Sequence, residues 1–374
     1  MLPMRTTPPF RADHVGSLLR PPALLAARDG FAAGKITAAQ LRQAEDEAIA
    51  AAVAMQAAAG LHSATDGEFR RASWHMDFIY QIGGVSKAPG QLAVKFHNPG
   101  GDIEWTPAAL HVGSKLRMDK TIFGEDFAYL RSVVPAGITA KQTIPSPNMV
   151  HYRGGPAAID PAVYPDIEGF WADLAAAYAD EVRRLAALGC TYLQFDDTSL
   201  AYLNDPAQRA EIAARGEDAG HLHLRYIRQV NAALAGKPAG LTVTTHLCRG
   251  NFRSSWAASG GYDFVAEALF SQLAVDGFFL EYDDPRSGGF EPLRFTPPGK
   301  MVVLGLVTTK TGQLEDPDLI KRRIDQAARY IPLDQLALSG QCGFSSTVEG
   351  NTLSHDQQRA KLDLIVQVAH DVWG

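Results

Sequence analysis

The stretch Thr244-Thr245-His246-Leu247-Cys248-Arg249-Gly250-Asn251 follows an apolar, β-branched run containing Leu241 and Val243, and it stops at a glycine. This pattern predicts a buried strand running into a loop. Residues two apart on a strand point to the same side, so His246 and Cys248 aim at one spot. An imidazole and a thiol so placed begin a soft-metal site, most often for zinc. Two further candidate ligands end runs of the same kind. Glu281 follows Gly277-Phe278-Phe279-Leu280, and Cys342 follows Leu336-Ala337-Leu338-Ser339-Gly340-Gln341.

Strand-like runs recur along the chain with helices between them. The earlier ones are Arg11 to Ser17, Leu61 to Glu68, Gly137 to Pro145 and Thr191 to Asp197, and a seventh spans Met301 to Thr308. Helical patterns cover about 37–59, 166–188, 206–235, 316–330 and 354–372. In the second of these Ile167, Phe170, Trp171, Leu174, Tyr178, Val182 and Leu185 recur at spacings of three and four, and Gly189 closes it. Eight strands alternating with helices predict an α/β fold, a (β/α)8 TIM barrel, with catalytic residues at the C-terminal strand ends. Ser17, Glu68, Asp196, His246, Glu281 and Cys342 all fall at such ends. An open doubly wound sheet is disfavoured because no Gly-x-Gly-x-x-Gly follows the first strand.

Around residues 80–130 the rhythm breaks at Gly83, Gly84, Pro89, Gly90, Pro99, Gly100, Gly101 and Pro107, while Leu92 to Phe96 reads as a hairpin arm. So many breakers make a poor separate core, and the segment is expected to be an inserted hairpin-like excursion. Residues 1–374 are accordingly expected to form a single catalytic barrel domain.

Composition bounds the function. The chain has 374 residues, 46% hydrophobic and 20% charged, which is ordinary for a soluble globular protein. A net charge of −6 and a pI near 6.0 argue against a nucleic-acid footprint. No apolar run reaches the roughly 18 residues of a membrane span, and Met1 to Arg5 lacks the apolar core of a signal peptide. Three cysteines in so long a chain fit a reducing cytoplasm better than a disulfide scaffold.

Several residues carry two readings. Cys190 is expected to pack, as buried thiols usually do, and the aromatic stripe Phe170, Trp171, Tyr178 belongs to the core. Glu281 follows an apolar run, where an unpaired carboxylate is costly unless a metal or a cation relieves it. Asp283 and Asp284 read as loop charges. Glu68 and Asp196 are either rim carboxylates paired with Arg70, Arg71 or Arg249, or partners for a substrate ammonium group. His14 is a substrate group, a support behind one, or a structural histidine. Arg249 and Asn251 are loop structure or substrate contacts.

At these residues the chain resembles the cobalamin-independent methionine synthase family, and in particular its short members that consist of the catalytic C-terminal barrel. The resemblance rests on His14-Val15-Gly16-Ser17, Asp66-Gly67-Glu68, Gln194-Phe195-Asp196-Asp197, His246-x-Cys248, Glu281 and Gln341-Cys342-Gly343. It implies that Zn2+ is held by His246, Cys248, Glu281 and Cys342. It implies also that homocysteine is held by Ser17, Glu68 and Asp196, with His14 and Arg249 as further substrate-binding candidates. Family members place the substrate thiol on zinc and transfer a methyl group to it from a carrier, giving methionine. Coordination to zinc deprotonates a thiol whose ordinary pKa is ~8.5, and Glu281, the hardest ligand, is the natural one to yield to an incoming thiolate.

The family's proton-donating histidine is replaced by Lys310, in Thr308-Thr309-Lys310. Lys310 and Asp196 are therefore the candidate catalytic groups, and a lysine near a cationic metal would have a lowered pKa. The implied partners are homocysteine and a methyl-folate or methyl-corrinoid donor. The alternative function is a zinc-dependent thiol alkyltransferase similar to epoxyalkane:coenzyme M transferases. Its sulfonate substrate would call for cations where Glu68 and Asp196 stand. A structural zinc is the third reading, but such sites are usually closed and built on short knuckles.

Overall fold

The computed structural model describes residues 5–91, 93–98, 100–106 and 108–374. Met1 to Met4, Leu92, Pro99 and Pro107 lie outside it, and with them the start of the chain, one residue of the expected hairpin arm and two of the expected breakers.

The protein is an α/β fold around a curled parallel sheet of seven strands. In chain order these are β1 (Ser63–Ala64), β2 (Thr139–Pro145), β3 (Tyr192–Asp197), β4 (Thr242–Leu247), β5 (Gly277–Glu281), β6 (Met301–Val307) and β7 (Leu336–Gly340). Each strand pairs with the next one in sequence, as expected when a helical crossover returns the chain beside the strand it left. Both faces of such a sheet are covered, so its strands read as near-continuous apolar runs; β6, Met-Val-Val-Leu-Gly-Leu-Val, is buried throughout.

The first expected strand is reduced to a bridge. Ala12 pairs with Leu338 of β7 in a parallel sense, through Asp13 N–H to Leu338 O at 3.0 Å and Leu338 N–H to Arg11 O at 2.9 Å. On its other side the same segment meets the β1 edge, where Ser63 Oγ donates to Asp13 Oδ1 (3.1 Å) and Thr65 Oγ1 to Gly16 O (2.6 Å).

Inside the curl, Tyr192, Phe279, Met301, Val303 and Ala337 pack with Phe10 and Val15 as a small cluster of their own. Beside them Lys141 pairs with Asp13 at 3.3 Å and lies 4.1 Å from the Phe279 ring centroid, with both side chains of the pair fully buried. The large core lies between the sheet and its helices.

Four helices agree with the periodicity to within a residue or a few: Ala38–Ala58, Ile167–Ala187, Pro317–Ala327 and His355–Trp373. The expected 206–235 helix is instead two, Pro206–Ala214 and Leu222–Ala233. Gly216, at φ +82, breaks the path between them. Between residues 83 and 117 the chain makes two antiparallel ribbons, Gly83–Gln91 with Ala108–Arg117 and Val94–Phe96 with Ile103–Trp105. Among the described residues no helix is long and apolar enough to cross a membrane.

Candidate metal centre

Strand register builds the site. Asp196 is paired with His246 across β3 and β4, His246 with Phe279 across β4 and β5, and Glu281 with Gly305 across β5 and β6. Side chains two apart share a face. Phe279 lies inside the curl, so Glu281 does too, and His246 and Cys248 follow from β4. Gly305 keeps this corner open, because a Cβ there would lie 2.6 Å from the Gln341 backbone.

One potential ligand atom from each of His246, Cys248, Glu281 and Cys342 lies within 4.8 Å of every other, and all four residues are buried. The two sulfurs are 3.6 Å apart and both cysteines are free. Sulfurs each ~2.3 Å from a tetrahedral zinc would sit roughly 3.8 Å apart, so the spacing suits a shared ion. Both His246 ring nitrogens and Glu281 Oε2 are buried without a hydrogen-bond partner among the described residues. Such groups cost ~1–3 kcal/mol each when left unmet, and a cation at the centre of the quartet would meet Glu281 Oε2 and the one His246 nitrogen that faces it. The Cys342 thiol is held well below its ordinary range by the neighbouring Cys248 sulfur and then by His246, against burial, while Cys248 is pushed up. A depressed thiol in this position suits a metal-ligating thiolate.

Glu281 is oriented from behind. Its Oε1 accepts the Arg249 backbone N–H at 2.7 Å. The Arg249 guanidinium donates to the Glu281 carbonyl (2.9 Å) and to Tyr262 Oη (3.1 Å), and it lies over the Tyr262 ring. Arg249 does not line the cavity over the quartet. Its guanidinium is turned to the back of Glu281.

The cavity over the quartet is lined by His246, Cys248 and Cys342 together with Ser17, Glu68 and Asp196. Glu68 sits in a left-handed backbone conformation at φ 60, unusual for a residue other than glycine. Its Oε1 accepts from Thr143 Oγ1 at 2.8 Å, and Arg71 lies at 3.4 Å. Asp196 Oδ1 accepts from Gln194 Nε2 at 2.7 Å. Among the described residues no cation pairs with Asp196, and burial followed by the nearby Glu68 pushes its pKa up to about 7. Ser17 Oγ accepts the Ser345 N–H at 3.2 Å, which leaves its own O–H free to donate. Gly343 makes room for it, since a Cβ there would lie 2.0 Å from Ser17 Oγ.

Other expected site residues fall elsewhere. His14 is buried with both ring nitrogens unpartnered among the described residues, and burial followed by Lys141 lowers its pKa to about 4. It lines a small adjoining cavity rather than the one over the quartet. Lys310 is buried rather than exposed and pairs with Asp283 at 3.0 Å. Burial alone would lower its pKa, but Asp283 and then Glu281 outweigh it and hold the ammonium above its ordinary value. Asp283 is correspondingly no loose loop charge, its side chain being only 2% exposed and flanked by Arg286 at 3.6 Å. Asn251 does line the cavity and donates to Gly343 O at 2.8 Å. Cys190 packs in the core as expected.

Sequence reasoning misses the rest of the wall. Trp74, Phe96, Trp105 and Phe252 line the cavity, with Arg153 and Tyr202. Phe252 bridges the rings, 5.5 Å from Phe96 and 6.3 Å from Trp105 between centroids. The ribbon carrying Phe96 and Trp105 is fastened where Trp256 N–H donates to His97 O at 3.0 Å. Arg20 is also missed: it donates to Ser345 Oγ (2.7 Å), Thr347 O (3.0 Å), Glu68 O (2.8 Å) and Arg71 O (2.7 Å), clamping the Glu68 loop to the loop after Cys342. A run of Gly, Pro and aromatics, or an Arg-Pro-Pro turn, carries no periodic signal that separates wall from loop.

Known proteins with these features converge on one family. The family described as "Cobalamin-independent synthase, Catalytic domain" matches residues 133–371. The uncharacterized protein YxjG of Bacillus subtilis (strain 168) is 46% identical over 371 residues, 99% of this chain and 96% of its own length. A Listeria monocytogenes structure, provisionally assigned as a vitamin-B12-independent methionine synthase, superposes with a TM-score of 0.78 at 38% identity, covering 98% of this chain and 99% of that one. A B12-independent methionine synthase from Shewanella sp. W3-18-1, solved with selenomethionine, shares the fold at a TM-score of 0.71 and 20% identity, with 97% of each chain covered. The chain belongs to the cobalamin-independent methionine synthase family and is a methyltransferase of that type.

Proposed function

We propose that this chain is a zinc-dependent thiol methyltransferase that methylates homocysteine to give methionine. The observation that carries the reading is a buried His-Cys-Glu-Cys quartet, three members of which line the same cavity as two buried acids and a serine. Zinc in the quartet would acidify the substrate thiol and keep it nucleophilic. Glu68 and Asp196 hold the substrate ammonium, and Asp196, with no cation of its own, has the more to gain from one. Ser17 donates its O–H to the substrate carboxylate. Arg249 and its neighbours fix one oxygen of Glu281, leaving the other turned to the ligand cluster. Lys310, tied to Asp283, acts as a positioning residue beside Glu281 rather than as a proton donor.

The same reading takes the chain as one catalytic barrel domain over residues 1–374. Segment 11–18 occupies the eighth strand position, and the ribbons of 83–117 form an inserted excursion. Three free cysteines suit the reducing cytoplasm. The donors implied by the family resemblance are methyl-folate and methyl-corrinoid.

The coenzyme M alternative is favoured by one observation, Arg153 in the cavity wall. Four other cations, Arg70, Arg71, Arg249 and Lys310, are committed elsewhere: Arg70 to Glu45, Asp46 and Asp126, Arg71 to Thr143, Arg249 to Glu281, and Lys310 to Asp283. Metal analysis of Cys248→Ser and Cys342→Ser tests the zinc site. About one zinc per parent chain, lost in both variants with the circular dichroism unchanged, is the expected result. Full zinc retention would overturn the ligand assignment, and unfolding with the loss would make the site structural. Titration with homocysteine and coenzyme M then separates the substrates, homocysteine being expected to bind the more tightly.

A further inference from the structure

The two oxygens of Glu281 are held differently. Oε1 accepts the Arg249 backbone N–H at 2.7 Å, while Oε2 is buried with no hydrogen bond among the described residues. Arg286 Nη2 lies 3.9 Å from that same Oε2, just beyond hydrogen-bond reach. Arg286 stands on the short turn Pro285–Ser287 that follows β5. The Asp284 side chain accepts its backbone N–H at 2.9 Å, and its carbonyl accepts the Gly260 N–H at 3.1 Å. Its guanidinium lies over the Trp256 ring, 4.8 Å from the centroid. Residues outside the quartet therefore fix where this cation sits.

The guanidinium is underused where it stands. Its side chain is only 9% exposed and all three of its nitrogens are buried, yet none makes a hydrogen bond among the described residues. Asp284 at 3.3 Å and Asp283 at 3.6 Å balance its charge through Nη2 without engaging an N–H. A guanidinium carries five N–H donors, and buried donors left unmet are costly. Lys310, the other cation that bears on Glu281, already donates to Asp283 at 3.0 Å. Arg286 is thus the cation with donors to spare beside the oxygen that Arg249 leaves unheld.

A carboxylate that gives up a metal inside a buried site needs a new partner, because an isolated buried charge is costly. A guanidinium suits it, since its planar fork matches the two carboxylate oxygens. Closing 3.9 Å to a charge-assisted hydrogen bond of ~2.8 Å asks for a shift of only about 1 Å. We propose that Arg286 receives the Glu281 carboxylate when a substrate thiol takes its place in the metal site, and that Arg286 is the positioning residue for this exchange. The inference rests on the zinc-dependent thiol methyltransferase reading above and adds what holds the displaced ligand. The substrate sulfur bonds to the metal as the bond to the Glu281 oxygen breaks. The thiol proton passes to solvent, and the carboxylate keeps its charge against the guanidinium.

Zinc-edge X-ray absorption and calorimetry test the inference on the zinc-loaded protein titrated with homocysteine. The parent should gain a sulfur scatterer and lose an oxygen. Arg286→Met should match the parent in zinc content and in its spectrum before thiol is added. At saturating homocysteine it should keep the oxygen, and its affinity should fall by about tenfold or more, as for the loss of a buried charge-assisted hydrogen bond. Arg286→Lys restores the charge without the fork and should recover part of the exchange. Arg286→Gln replaces Arg286→Met where that variant folds poorly. In a Glu281→Ala background no carboxylate remains to be received, so Arg286→Met should leave homocysteine affinity unchanged there. Oxygen loss in Arg286→Met as complete as in the parent overturns the inference. So does an affinity loss that persists in full without Glu281, or a loss of zinc from Arg286→Met. A parent that forms no new zinc–sulfur bond overturns the thiol-transfer reading and the inference together, whereas equal exchange in parent and Arg286→Met removes only the role of Arg286.

Discussion

Asp196 and Glu68 share one cavity but differ in what already holds them. Glu68 has Thr143 and Arg71 for company, whereas Asp196 has only an amide, Gln194, and its pKa is driven up to about 7. A substrate ammonium would offset the cost of ionising Asp196, so homocysteine binding should tighten as pH rises toward and through 7. Asp196→Asn should flatten that rise. It should also weaken homocysteine by roughly 10- to 150-fold, the equivalent of ~1.5–3 kcal/mol for a charge-assisted hydrogen bond. A thiol lacking the amine should bind Asp196→Asn and Glu68→Gln as it binds the parent, and calorimetry on both thiols checks this. Equal losses for the two thiols would show that the acids serve the scaffold. At this scale the clustering of His246, Cys248, Glu281 and Cys342 is legible in the sequence because strand alternation and a terminal position suffice to aim them at one spot. The ion pair of Lys310 with Asp283 is not legible, because sequence alone leaves Asp283 as a loop charge.

Between elements, the site is held by the loops that leave the strands, and Arg20 ties two of them together. Its guanidinium satisfies carbonyls of Glu68, Arg71 and Thr347 at once, fully buried. Lysine cannot reproduce that fork. Arg20→Lys should leave several buried acceptors unmet, cost about 3 kcal/mol of stability, and weaken homocysteine while zinc content stays near one per chain. Thermal unfolding and metal analysis together check it; an unchanged melting temperature would remove Arg20 from the account. The parallel strands and long helices are legible because apolar runs and three-to-four spacings report burial directly. The segments that fail are those whose structure is set by distant partners. Residues 11–17 read as a strand yet meet β7 at one bridge, and Gly216 divides a helix that the hydrophobic pattern carries through. The ribbon residues Phe96 and Trp105 gain their place in the wall only when the ribbon folds onto Trp256 and Phe252.

For the whole molecule, burial of ionisable groups away from the site sets a pH dependence of stability. Glu181, on the Ile167–Ala187 helix, is buried with Oε1 unpartnered, and burial raises its pKa from 4.5 to about 8. An acid raised in the folded state contributes stability that is intact below pH 4.5 and lost as pH rises toward 8. Glu181→Gln should therefore be more stable than the parent at pH 8, by on the order of 3 kcal/mol, with the gain shrinking to little at pH 4.5. Denaturant unfolding at the two pH values measures it, and a gain independent of pH would contradict the assignment. The central claim concerns the other buried acid, Glu281, and its place in a metal site open to substrate. X-ray absorption at the zinc edge of the loaded protein, before and after homocysteine, tests it most directly. The predicted result is two sulfur scatterers from Cys248 and Cys342 that become three, with one oxygen scatterer lost. A zinc shell unchanged at saturating homocysteine would contradict the account.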